Sequence, residues 1–285
     1  SSSCERLCPR TFEIMPHSRE RAIPYRENVM PIENSASDFG NPIVFGGYCH
    51  GLSAVRSSLG ALALFEPTEL PRQNGVEITD EESKQNFYRG LLNDITAGQA
   101  TKIPGYNNIL EFTSDPMVQP HLQEVVRRSF SEQNFYNPFM LESTAIWDAL
   151  DSDEFTTELG KINRHIEASG SAQISLNTSG LAGHTVEVYH TFDETIAGRE
   201  VTQLCITDFN STLTSYKSEA EFKANASPGE VYCPKKITVY KDDYTFKYDG
   251  NISTGSFHVD RHADRMLNRN IDSLVSMCKE ERGCD

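Results

Sequence analysis

Glu167-Ala168-Ser169-Gly170-Ser171-Ala172-Gln173-Ile174-Ser175-Leu176 is where this chain changes its period. Before Gly170 the apolar residues recur at three-to-four spacing; after it they alternate with polar ones. The first spacing lines one face of a helix and the second lines one face of a strand. A chain that reads helical first and extended second predicts an α+β fold, with any cleft at the junction of the two halves.

Upstream of the junction, Glu154 to Ala168 predicts a helix, and Pro138 to Leu150, which holds Trp147, predicts another. Asp115 as cap with Pro116 at the first helical position opens a third, carrying Leu122, Val125 and Val126. Thr79 with Glu82 three residues on is a capping-box pattern ahead of Phe87, Leu91 and Ile95. Cys49 to Phe65 sets Leu52, Val55, Leu59 and Leu62 at helical spacing and stops before Pro67. Downstream, Ala172 to Leu176, Thr185 to Tyr189, Val201 to Thr207, Ile237 to Tyr240 and Tyr244 to Tyr248 predict strands. A last helix is expected over Val259 to Lys279. The expected organisation is an N-terminal arm (1–48), a helical subdomain (49–170) and a β-sheet subdomain closed by a C-terminal helix (171–285), together one unit.

The chain has 285 residues, a formal net charge of -15 and a pI near 5.0. Such a surface repels phosphate backbones, which argues against a nucleic-acid partner. The longest apolar run, Leu59 to Phe65, is far short of the roughly 18 residues a membrane span needs. There is no Walker loop, G-x-G-x-x-G, G-x-S-x-G or H-E-x-x-H, and no C-x-x-C, so neither a cofactor nor a structural metal is expected. His258-Val259-Asp260-Arg261-His262 would set two imidazoles one helical turn apart, a metal pattern only if the segment is helical.

Of the seven cysteines, six are expected to pair with their nearest neighbours in sequence: Cys4 with Cys8, Cys205 with Cys233, and Cys278 with Cys284. Three bridges point to a secreted or periplasmic chain, whereas a cytosolic chain would keep all seven as thiols. Cys49 is the odd one. In Gly46-Gly47-Tyr48-Cys49-His50-Gly51-Leu52-Ser53 it opens a helix behind two glycines. The positive end of the helix dipole and its unpaired N–H groups favour a thiolate there, and the same N–H groups can hold an oxyanion. In Gly183-His184-Thr185-Val186-Glu187-Val188-Tyr189-His190, His184 starts an alternating strand, a rigid and accessible place for a general base. Asp208 follows the next strand. If the two strands pair as a hairpin, Asp208 returns beside His184 and can fix its tautomer, with Asn210 as a second possible acceptor. The bland alternatives are a buried structural thiol, a strand histidine and a turn aspartate.

Taken in order, these three motifs resemble the papain-like cysteine peptidases, and most closely the bacterial secreted members of YopT type. There the cysteine opens a long helix in a helical half, and the histidine follows a glycine at a strand start. Cys49 and His184 are 135 positions apart, inside the roughly 130–150 spacing of the papain branch. The resemblance implies a papain-like fold in which Cys49 is nucleophile, His184 base and Asp208 orienting carboxylate. It also implies a bacterial, toxin-like or virulence-associated hydrolase acting on a protein or peptide as a monomer. The sequence departs from that pattern at His50, where an aromatic residue would follow the nucleophile, and in lacking the upstream glutamine that donates to the oxyanion. Asn41 is the nearest upstream amide for that task. A Cys-His-Asp set also serves transglutaminases and deamidases acting on protein glutamine, and the same scaffold can act as a binding module without catalysis.

Overall fold

In the computed structural model of the chain, the described residues are 18–32, 48–134, 150–177, 183–253 and 255–260. All but Leu150 of the helix expected over Pro138 to Leu150, the C-terminal helix beyond Asp260, Asn41, and the pairings of Cys4 with Cys8 and Cys278 with Cys284 fall outside them.

Helix α1 (Cys49–Leu62) buries Leu52, Val55, Leu59 and Leu62 completely, the four residues its periodicity picks out. It ends earlier than expected. Ala63–Glu66 is strand β1, paired in parallel with β4 (Thr101–Pro104), and that ladder takes the backbone that a longer helix would have used. A short hairpin of β2 (Arg72–Gln73) and β3 (Val76–Glu77) leads to α2 (Glu81–Thr96). Asp80 rather than Thr79 caps α2, its carboxylate accepting Ser83 N–H at 2.8 Å. The start shifts accordingly, and the buried residues are Tyr88, Leu92 and Ile95. Asp115 closes α3 (Ile109–Ser114) instead of opening the next helix. Its side chain is committed to the turn, accepting from Met117 N–H at 2.8 Å and Tyr106 O–H at 2.7 Å, so α4 begins later (Gln119–Asn134). Leu122, Val125 and Val126 are buried on α4 as expected. One apolar cluster joins these helices around α1.

Helix α5 (Ser152–Ser169) starts at an Asp151–Glu154 capping box and ends at Gly170, whose φ of 89° explains the break in period. A side chain there is also excluded sterically, because an added Cβ would lie 2.3 Å from the Ser18 carbonyl oxygen. Beyond it the chain builds an antiparallel sheet from β5 (Ala172–Asn177), β6 (Gly183–Ile196), β7 (Arg199–Thr207), β8 (Lys236–Tyr240), β9 (Phe246–Tyr248), β10 (Asn251–Ser253) and β11 (Phe257–Val259). Its spatial order is β10-β9-β8-β7-β6-β5-β11. A short helix, α6 (Glu219–Lys223), lies in the β7–β8 connection. Val259 ends a strand paired with β5 and does not start a helix, and His262, the other imidazole of the metal pattern, lies outside the described residues. Ile174, Leu176, Val186, Val188, Leu204 and Ile206 form one face of the sheet and share a second core with Phe155 and Ile162 of α5. The fold is therefore α+β, as the change of period predicts.

The opposite face of the sheet meets α1 through polar groups. Arg56, 1% exposed, donates Nε–H to Glu187 of β6 at 2.6 Å. Its two terminal nitrogens donate to the carbonyls of Arg21 (2.8 Å) and Ala22 (3.1 Å), in a helical turn at residues 18–22. Burial lifts the Glu187 carboxyl pKa, and the charge and hydrogen bond of Arg56 oppose that rise. The pair thus ties three chain segments together.

Candidate active site

Cys49 is the first residue of α1, and Tyr48 before it offers no side-chain cap to the first turn. The N–H groups at that end therefore face the thiol's surroundings. Two contacts hold the turn in place. Tyr48 packs edge-on against Phe130 with ring centroids 4.9 Å apart, and Gly51 lies so close to α4 that an added Cβ would be 2.3 Å from the Val126 carbonyl oxygen.

Strands β6 and β7 pair antiparallel with Glu187 opposite Thr207, as the hairpin argument requires. The chain leaving β7 returns beside the start of β6, and His184 Nε2 donates to Asp208 Oδ1 at 2.9 Å. The Asp208 side chain has no exposed surface. Its Oδ1 also accepts Asn210 N–H at 2.9 Å, while Oδ2 accepts Tyr248 O–H at 2.6 Å and Lys235 Nζ at 2.8 Å. Phe209 next to it is buried in the helical core, which anchors the turn. Asn210 supplies its backbone to Asp208 and sets its side-chain nitrogen 3.4 Å from His184 Nε2. With Nε2 engaged by Asp208, Nδ1 is the His184 nitrogen left to serve Cys49, and the two groups shift each other's ionisation.

The electrostatics follow from these contacts. Burial pushes the Cys49 thiol up, but hydrogen bonds and charge from His184 and His50 outweigh it and bring the pKa down to about 5. Burial pulls His184 down, but the hydrogen bonds and negative charges of Asp208 and Cys49 raise it to about 9. Asp208 is held well below the carboxylate range: burial opposes ionisation, and His184, Lys235 and Tyr248 together overcome it. Between those limits the favoured state is thiolate, imidazolium and carboxylate in a row, which is suited to nucleophilic attack followed by proton donation.

Three residues of this arrangement carry no local signal in the sequence. Lys235 and Tyr248 arrive through the order of β7, β8 and β9, which periodicity does not specify. Asp260 lies in a segment read as a helix start, and as the residue after β11 it comes within 3.8 Å of His50. Among the described cysteines, Cys205 and Cys233 form the expected disulfide and Cys49 is free. That bridge is compatible with a secreted or periplasmic chain. Among the described residues no helix is long and apolar enough to cross a membrane, and no three His, Cys, Asp or Glu side chains cluster to hold a metal. Compared with protein-family models, with curated proteins and with solved structures, the chain matches none of them.

Proposed function

We propose that this chain is a papain-like, exported cysteine peptidase that hydrolyses peptide bonds through a thioester on Cys49. The observation that carries the reading is the His184–Asp208 hydrogen bond of 2.9 Å, made from a strand start and a strand end, with the same imidazole helping to lower the pKa of a thiol at a helix N-terminus. A buried structural cysteine needs neither a histidine partner nor a carboxylate behind it.

The steps follow from the groups present. The Cys49 thiolate adds to the scissile carbonyl carbon, and the negative charge moves to the carbonyl oxygen, where N–H groups of the first turn of α1 can receive it. His184 gives its proton to the leaving amine as the C–N bond breaks, which leaves a thioester and a neutral imidazole. His184 then takes a proton from water, the hydroxide displaces the sulfur, and the acid product departs with the thiolate–imidazolium pair restored. Asp208 stays ionised throughout and holds the ring.

The test is direct. Iodoacetamide given to the as-purified protein near neutral pH is expected to alkylate Cys49 ahead of other thiols, as read by peptide mass spectrometry. Cys49→Ala is expected to abolish cleavage of a denatured-protein or peptide-library substrate while leaving the circular dichroism unchanged. Even labelling of all thiols, or full cleavage by Cys49→Ala, would remove the proposal. Conversion of glutamine to glutamate, or loss of ammonia with crosslinking, would assign the same residues to deamidase or transglutaminase chemistry instead.

A further inference from the structure

His50 plays no part in the mechanism above, yet it is the other imidazole at the sulfur. Its Nδ1 lies 3.9 Å from Cys49 Sγ. On the far side of the ring, Nε2 is 3.2 Å from Ser175 Oγ and 3.8 Å from Asp260 Oδ2. The side chains of His50 and Asp260 are each only 13% exposed. The layout repeats the His184–Asp208 pair on different strands: β6 and β7 deliver that pair, while the β5–β11 ladder delivers Ser175 and Asp260 to a histidine carried by α1. Ser175 pairs with His258 in that ladder, and Asp260 N–H donates to Gln173 O at 3.0 Å, so the carboxylate is placed by backbone pairing.

We infer that His50 is a further catalytic residue that donates a hydrogen bond to the Cys49 sulfur, with Ser175 and Asp260 as the residues that position its ring, so that the thiolate does not depend on His184 alone. The inference rests on the reading of Cys49 as nucleophile and adds a residue to it. The chemistry is consistent in both charge states of the ring. When neutral, His50 keeps its proton on Nδ1 while Nε2 accepts from the Ser175 hydroxyl. When protonated, Nε2–H turns toward Ser175 and Asp260, and Nδ1–H still faces the sulfur. The groups facing His50 are the Cys49 thiolate from its own helix, Asp260 after β11, and His184 from β6, the one charge among them that opposes its protonation. Burial also works against the charged form, but the thiolate and Asp260 prevail and the pKa is raised.

This gives His50 a distinct part in the cycle. Once His184 has passed its proton to the leaving amine, it is neutral until it takes a proton from water, and through that interval it lends the sulfur no positive charge. His50 keeps a donor on the sulfur as the thioester C–S bond breaks, so the second half of the reaction has a stabilised leaving group.

The test measures ionisation of the Cys49 thiol without any substrate, by the pH dependence of its alkylation rate and by thiolate ultraviolet absorbance against a Cys49→Ala blank. Four proteins are compared: the parent, His184→Ala, His50→Gln and Asp260→Asn. His184→Ala is expected to lose turnover but keep a thiol that ionises below the ordinary value of about 8.5. His50→Gln is expected to move the thiol upward with His184 intact. A move from about 5 to about 7 would slow alkylation at about pH 6 roughly tenfold. Asp260→Asn, which keeps size and shape, is expected to shift it in the same direction by less. The inference is overturned if His184→Ala by itself returns the thiol to about 8.5 or above, or if both His50→Gln and Asp260→Asn titrate like the parent. Failure of the hydrolase reading looks different: no turnover in the parent, with the thiol still titrating as described.

Discussion

Replacing Asp208 by asparagine tests the site most sharply, because the carboxylate is buried, accepts four hydrogen bonds and takes one of them from His184, the proposed general base. His184 stands at about 9 against an ordinary 6.5, a gap worth about 3 kcal/mol of preference for the imidazolium. Burial pulls the other way, so Asp208 and the Cys49 thiolate together supply at least that much. With the thiolate retained, losing the carboxylate charge should remove about half, which lowers the basic limb of kcat/KM by about one to two pH units. The acidic limb, which reports the thiol at about 5, should rise by less, because its partners His184 and His50 remain. We expect kcat to fall on the order of a hundredfold, the lower end of what a positioned acid–base group contributes. The same substitution has a stability signature. A depressed carboxyl pKa contributes stability that is fully present above the unfolded value of about 3.9 and is lost as pH falls through the folded one, so Asp208→Asn should flatten the acid side of the stability curve. Steady-state profiles and urea titrations across pH measure both effects. A basic limb that does not move in a folded Asp208→Asn protein would remove Asp208 from the catalytic set.

Arg56→Met leaves Glu187 buried without its partner and should cost about 3–5 kcal/mol in urea unfolding, with Arg56→Met/Glu187→Leu recovering most of the loss. Gly51→Ala drives a methyl into the Val126 carbonyl of α4; we expect about 1–3 kcal/mol of destabilisation and, in protein that still folds, slower alkylation of Cys49 as the first turn of α1 shifts. Reducing the Cys205–Cys233 bridge, which spans 28 positions, should lower the unfolding free energy by about 3.5 kcal/mol. Lys235 lies two residues beyond Cys233 and its ammonium is bonded to Asp208, so kcat should drop on reduction as well, and unchanged turnover in reduced, folded protein would refute that link.

What was legible in the sequence depended on the range of the interaction. Leu52, Val55, Leu59 and Leu62 declare α1 because helical burial repeats within one segment, and Ala172 to Leu176 declares β5 for the same reason. His184 and Asp208 could be brought together because adjacent antiparallel strands form a hairpin, so the end of one returns to the start of the other. The errors lie where a neighbour competes for the backbone. Ala63–Glu66 leaves the helix for a parallel partner that lies well downstream in sequence, and Asp115, a good cap by composition, is taken up by Met117 and Tyr106. Asp260 was missed because Phe257-His258-Val259 is too short to show alternation, and its strand identity comes only from pairing with β5. Lys235 and Tyr248 are conveyed to Asp208 by sheet order, a long-range property that no local pattern encodes.

The Arg56–Glu187 pair sits two helical turns beyond Cys49 on α1 and three residues beyond His184 on β6. Neither charge has a low-energy home until those two elements meet, so a chain with only one half formed keeps both groups in water and the halves apart. Cys49 in that intermediate has neither His184 nor Asp260-braced His50 beside it, and its thiol is an ordinary one, mostly protonated at neutral pH. The lowered thiol pKa is therefore a property of the docked molecule: until α1 and β6 meet, the sulfur lacks the His184 and His50 partners that favour its thiolate, and it gains both in the same event that completes the fold.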